Sequence, residues 1–215
     1  MAAVVMGYTA ASYLPDVAYR IRFRAIDYIV DELKMEEKEE SSYEDTMHCM
    51  VNPCDIDRNG HMNNARFFRE LNFSRRTYFF KYGLWPIVKK QQRNFFVVAQ
   101  TIRYRRELRI WEKYVIRTKI IGYSDAQDCF FVESRFENRD KFVMAIHHCK
   151  YKLVGDKKKD SNSSVDEMKP SELLTKVGIV GVANVDTKGN SRFLDSWDEA
   201  NAISSRELNP RLSKN

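Results

Sequence analysis

The sequence is poor in the residues that mark fibrous, disordered or covalently stapled chains. Eight glycines and five prolines among 215 residues exclude a collagen-like or low-complexity chain. Four cysteines, Cys49, Cys54, Cys129 and Cys149, show no Cys-x-x-Cys spacing and are too sparse for a disulfide framework. Reduced thiols in an intracellular, cytoplasmic setting are therefore expected. No apolar run approaches the ~20 residues of a membrane-spanning helix. Residues 2–11 are mildly apolar, but they lack an early positive charge, and Pro15 and Asp16 soon interrupt them; neither a secretory leader nor an anchor is expected there. A concentrated run of one charge is also missing. The 36 basic and 30 acidic residues are intermixed, for a formal charge of +6. A nucleic-acid partner, which calls for a concentrated basic face, is not expected; an anionic small molecule suits the modest excess.

What is present is enough for one packed domain with extensions. Hydrophobic residues make up 43% and aromatics 13% of the chain, so a core is feasible. Residues 14–34 carry Leu14, Val17, Ile21, Ala25, Ile29 and Leu33 at spacings of three and four, which predicts a helix. Packing on the domain is the expectation for it, and contact with a membrane surface the alternative, since Arg20, Arg22 and Arg24 flank the stripe. An acidic, serine-containing link closes this first segment, 1–45.

A core segment spans 46–154. Residues 46–52 read as a strand closed by Pro53. Asn63 is placed to cap a helix over 64–82, in which Phe67 or Phe68, Leu71, Arg75, Tyr78 and Tyr82 share a face, and Gly83 is placed to stop it. Such a helix is about 28 Å long. Strands rich in Val, Ile, Phe and Tyr are expected over 94–106, 114–123, 129–138 and 142–153. One strand, one long helix and four strands is an α+β order. Residues 155–215 read as a Lys- and Ser-rich linker and a tail with short helices near 171–176 and 195–208, Trp197 packing back on the core.

The chemistry concentrates in residues 55–64, Asp-Ile-Asp-Arg-Asn-Gly-His-Met-Asn-Asn. Asp57, Asn59 and His61 alternate in a loop ahead of the helix. A carboxylate can activate water, and an imidazole moves protons near neutral pH because its reference pKa is about 6.5. An amide can orient water or stabilise an oxyanion. A helix start adds free N–H groups and a positive dipole end. These parts suit attack on a carbonyl, and a thioester in particular. Asp and Asn are also ordinary loop and capping residues, so the pattern has a purely structural alternative. His147, His148 and Cys149 cannot all converge on one ion from a strand, because neighbouring side chains point to opposite faces; no metal and no cofactor is expected.

The run Asp57-Arg58-Asn59-Gly60-His61-Met62-Asn63-Asn64-Ala65-Arg66-Phe67 resembles the signature of hotdog-fold acyl thioesterases. Its Asp-x-Asn-x-His spacing is similar to plant acyl-ACP thioesterases, and Asp57 stands at the position of the catalytic Asp of 4-hydroxybenzoyl-CoA-type thioesterases. Over its length the chain is most similar to the thioesterase superfamily member six group, from Tyr13 through residues 61–66 to Gly155, and weakly at Trp197, Asn201, Ser204 and Ser205. The resemblance implies a hotdog fold: a long central helix wrapped by a curved antiparallel sheet of about five strands. It implies hydrolysis of an acyl-CoA or related acyl thioester, with a homodimer as the functional unit. Asp57 would be nucleophile or base, His61 would assist proton transfer, and Asn59 would orient water or carbonyl. Gly60 and the backbone N–H groups of Met62, Asn63 and Asn64 would bind the thioester. Separately, Arg103, Arg105, Arg106 and Arg109 form a basic run broken by Tyr104; Arg103 and Arg105 are candidates for the CoA phosphates, with a merely exposed strand end as the alternative. Alternation along a strand would put Arg103, Arg105 and Glu107 on one face, with Tyr104 and Arg106 on the other. Asp55 would tether the loop. Glu70 would face solvent or lie behind the reacting groups. Relatives in that group carry a hydrophobic N-terminal segment from which this chain departs. A non-catalytic acyl- or lipid-binding protein at the endoplasmic reticulum membrane, held by residues 14–34, is the alternative.

Overall fold

A computed structural model describes residues 43–155, 168–187, 189 and 191–208, together with Val17, Ile21 and Arg24. The expected packing of residues 14–34 therefore lies largely outside the described residues. The three described positions are helical and exposed.

Strand β1 (Asp45–Met50) leads through a 3-10 turn at Pro53–Asp55 to helix α1 (Asn64–Lys81). Asn63 caps α1 as its spacing predicts: its side-chain oxygen accepts the Ala65 N–H at 2.9 Å. Gly83, at φ +69°, ends the turn after α1 in the left-handed region that glycine enters without cost. A second helix, α2 (Leu84–Lys90), follows at once. No element was expected there; Pro86 is tolerated at the third helical position because its missing N–H is one the first turn leaves unbonded anyway.

Strands β2 (Arg93–Tyr104), β3 (Lys113–Ser124), β4 (Cys129–Glu137) and β5 (Val143–Gly155) complete a sheet in the order β1-β3-β4-β5-β2, antiparallel throughout these pairs. Helix α3 (Pro170–Lys176), a two-residue strand β6 (Ala183–Asn184) parallel to β3, and helix α4 (Arg192–Leu208) form the tail. β6 is too short to leave a periodic signal. The expected strand 94–106 ends early, at Tyr104, because the amides of Arg105 and Arg106 both turn to the Met144 carbonyl, at 2.8 and 3.2 Å.

The sheet curves around α1. Phe67, Leu71, Tyr78 and Phe79 are buried along it, each worth roughly 2 kcal/mol of apolar burial. Two apolar clusters result. One, at the start of α1, gathers Met62, Phe67, Leu71, Tyr114, Ile116 and Phe136. The other, at its end, gathers Tyr78, Phe79, Ile120, Phe130, Tyr151 and Leu153. A polar belt lies between them. Ser74 Oγ is 2.7 Å from Thr118 Oγ1, which is 2.9 Å from Ser134 Oγ, and all three are fully buried. On the far side of the belt Arg75 meets His147. The tail covers part of the sheet's other face, where Leu194 and Trp197 pack with Cys129 and Phe131, as expected for Trp197.

Candidate active site

The Asp55–Met62 region is a hairpin closed on itself. The Asp57 amide donates to the His61 carbonyl at 3.0 Å, and the Gly60 amide to the Asp57 carbonyl at 3.1 Å. Ile56 and Met62 face each other as bridge partners. Gly60 takes φ +81°, a conformation that strains any side-chain-bearing residue.

The two carboxylates of the loop divide in role. Asp55 is 2% exposed. It accepts the Asn52 amide at 3.1 Å and Arg69 Nη2 at 2.6 Å, while its carbonyl accepts the Asn63 amide at 2.8 Å. It ties the 3-10 turn to the start of α1, as the sequence reading expected. Asp57 is half-buried, with one oxygen turned toward His61. Its Oδ1 accepts the Asn59 amide at 2.8 Å, and its Oδ2 stands 3.5 Å from Nδ1 of His61, itself half-buried.

The remaining expected site residues are placed less uniformly. Asn59 is exposed, and the bond that ties it to Asp57 uses its backbone amide, not its side chain. The Met62 side chain is buried in the core and its amide donates to the Leu108 carbonyl at 2.8 Å. The Asn63 amide is held by Asp55. Two of the three amides expected to polarise a thioester are thus occupied, because the hairpin needs them to close. Among the described residues the Asn64 amide, first in α1, is the one of the three with no such acceptor. Glu70 is buried and bonded to Arg69 at 2.8 Å, not solvent-facing.

The arginine run also departs from alternation. Arg105 and Arg106 stack on the same ring, Phe142, at 4.8 and 4.2 Å from its centroid. The bulge at the Met144 carbonyl turns both the same way. Arg103 is exposed on β2, between Ile102 and Tyr104, which pack toward the helix side.

Tyr104 and Arg69 carried no signal as chemistry, and Arg109 was legible only as part of a basic run suited to phosphate. Tyr104 donates its hydroxyl to the Asn64 carbonyl at 3.3 Å and sets its ring edge-on to Phe67 at 5.1 Å. Partial burial raises its pKa. Arg109 is the bridge partner of His61, and Arg69 holds Asp55. Each is brought in by pairing between distant segments. His147 faces α1 and His148 the opposite side of the sheet, where it lies 3.2 Å from Glu133 Oε2; the alternation read from the sequence holds here. Burial, and then Arg75, push the His147 pKa down to about 2.

A long helix wrapped by a curved antiparallel sheet, with a carboxylate loop at the helix start, is the hotdog fold. The thioesterase-like superfamily matches residues 51–172, and the chain belongs to it. It is 37% identical over 108 residues to Protein THEM6 of Xenopus laevis, covering 50% of this chain and 51% of that one. The chain spans about half the length of the curated relatives it matches. Among solved structures, YbaW, a probable thioesterase from Escherichia coli, superposes with a TM-score of 0.53 at 16% identity, over 62% of this chain and 96% of that chain. The protein SAV2348 from Staphylococcus aureus, solved in complex with CoA, gives 0.52 at 13% identity, over 66% and 85%.

Proposed function

We propose that this protein hydrolyses an acyl thioester, with an acyl-CoA as substrate. The observation that carries the proposal is the Asp57–His61 pair: a half-buried carboxylate with one oxygen beside an imidazole, at the start of the central helix of a thioesterase-like domain. Asp57 Oδ2 takes a proton from water, the water oxygen bonds to the thioester carbon, and the carbon–sulfur bond breaks. The proton held by Asp57 passes through His61 to the departing thiolate, which restores the carboxylate and the imidazole. A positioned base contributes about 10²–10⁴ in rate and one oxyanion donor about 10²–10³. The Asn64 amide is the donor this chain offers to the carbonyl oxygen. Arg103 and Arg105 are proposed for the CoA phosphates, since guanidinium pairs well with phosphate.

A homodimer fits the sheet's edge. β2 is a terminal strand, and Phe96, Val97 and Val98 on it are exposed. An unpaired apolar edge invites pairing with another strand, and a second copy joined along β2 closes it.

A non-catalytic acyl-binding role is the alternative, favoured by the occupied Met62 and Asn63 amides. No helix of the described residues is long and apolar enough to cross a membrane. The deciding experiment is hydrolysis of short, medium and long acyl-CoAs by the parent and by Asp57→Ala. Turnover by the parent that is lost in Asp57→Ala supports the enzyme. Saturable binding without turnover by the parent replaces it with the binder.

A further inference from the structure

The turn between β2 and β3 holds its apolar residues outward. The Glu112 amide donates to the Arg109 carbonyl at 3.0 Å, which makes Trp111 the third residue of a four-residue turn. Trp111 takes φ +63°, a conformation that glycine or asparagine usually supplies and bulky residues rarely adopt. A second bond, from the Trp111 amide to the Val51 carbonyl at 2.9 Å, holds it there. The indole gains little core burial in return: Trp111 is 57% exposed and Ile110 43%. Met50, paired with Lys113 beside the turn, is exposed as well.

Cations gather at this end of the domain. Lys113, Arg139 and Lys141 border one shallow cleft of about 330 Å³. Arg106 and Arg109 border a neighbouring cleft, and Asn138 lies in both. Asp140 stands exposed between Arg139 and Lys141, and the other carboxylates at this end are engaged. Glu107 is paired with Arg109 at 2.7 Å, Glu112 accepts the Arg109 amide at 2.9 Å, and Glu137 is paired with Arg117 at 2.8 Å. The hairpin that carries Arg139 and Lys141 is held rigid by Asn138, whose side chain accepts the Asp140 and Phe142 amides.

A rigid, exposed tryptophan with aliphatic neighbours, at an end of the domain where Lys and Arg outnumber carboxylates, is the chemistry of a lipid interface. Indole sits at the headgroup level, and the cations answer anionic lipid. We propose that the Ile110–Trp111 tip docks this end of the domain on an anionic membrane surface. Arg109, next to Ile110, is the bridge partner of His61, so a docked tip sets the candidate site close to the lipid. The surface contact stands without hydrolysis; delivery of membrane-partitioned acyl thioester to Asp57 rests on the proposed thioesterase activity.

The test uses the full chain with phosphatidylcholine vesicles, either neutral or containing about one third phosphatidylserine, with brominated acyl chains as quenchers of tryptophan fluorescence. Binding is expected to anionic vesicles and to weaken with salt, with quenching of the parent. Trp111→Phe is expected to keep binding and lose most of the quenching, since Trp85 and Trp197 pack within the fold. Trp111→Glu is expected to lower binding about tenfold or more. Equal quenching of the parent and Trp111→Phe would place the contact elsewhere, residues 14–34 included, and overturn the proposal. Three other results overturn it too: no vesicle binding by the parent, unchanged binding by Trp111→Glu, or conversion of a dimer to a monomer by that change, which would assign the tip to a second copy of the chain.

Discussion

Arg69 Nη2 lies 2.6 Å from Oδ1 of Asp55, across fourteen residues of chain. That bond separates the two carboxylates of the loop. Asp55 is spent on architecture, and Asp57, two residues on, keeps an oxygen beside His61.

Asp57→Asn keeps the side chain's size and removes its charge. If the proposed hydrolysis holds, kcat falls about 10²-fold or more while acyl-CoA binding stays near the parent's, because the loss falls on the transition state. Steady-state kinetics beside equilibrium binding reads both. Equal turnover would show that Asp57 is not the reacting carboxylate.

Asp55→Asn acts differently. It leaves Arg69 with a neutral partner in a buried setting, and a broken buried pair costs several kcal/mol, with ~3 as the lower figure. Glu70, also bonded to Arg69, softens the loss, so a fall of about 2 kcal/mol in unfolding free energy is expected. Urea titration measures it. A variant as stable as the parent would show that Asp55 does not tether the loop.

Along β2 the exposed Phe96, Val97 and Val98 should pair with a second copy. The parent chain weighs 25.4 kDa, so light scattering at micromolar concentration should give about twice that mass. Val98→Lys on this edge, outside the register with β5, places a charge where a second strand would pair and should return the monomer. A monomeric parent would leave the edge without this partner.

His147 predicts an acid sensitivity. Its folded pKa of about 2 lies far below the unfolded value of about 6.5. Between those values the unfolded chain binds the extra proton, so stability rises with pH there and falls on acidification. The contribution is complete above pH ~6.5 and declines by about 1.4 kcal/mol per pH unit below it. His147→Gln should flatten the slope of unfolding free energy between about pH 6 and 5 relative to the parent. An unchanged slope would show that His147 is not kept neutral by the fold.

The thiols should differ in reactivity. Burial pushes Cys149 up to about 11 and Cys129 up to about 12, whereas Cys54 is exposed. Because the thiolate is the reacting species, a disulfide reagent at neutral pH should modify Cys54 first, and reach Cys129 and Cys149 only on unfolding. Mass spectrometry of timed samples distinguishes them.

Local physics alone determined much of the molecule. The switch from helical to alternating periodicity placed α1 and the four long strands, Asn63 marked the cap, Gly83 the stop, and the spacing Asp57–Asn59–His61 located the loop. These depend on neighbours a few residues apart, which the sequence displays directly. Tertiary structure decided the rest. The Met144 carbonyl, some forty residues away, ends β2 early and swings Arg105 and Arg106 onto one ring. Leu108 and Asp55 take the Met62 and Asn63 amides, so a helix start rich in apparent donors keeps few of them. Arg69 holds Asp55 as the tether that the family resemblance implied, a partner fourteen residues away that the loop sequence does not name. Trp111 and Phe131 are both large aromatics, yet one is exposed in a left-handed turn and the other is fully buried. Burial, and the capture of a hydrogen-bonding group by a distant partner, depend on which segments the fold brings together, and no window of local sequence contains that information.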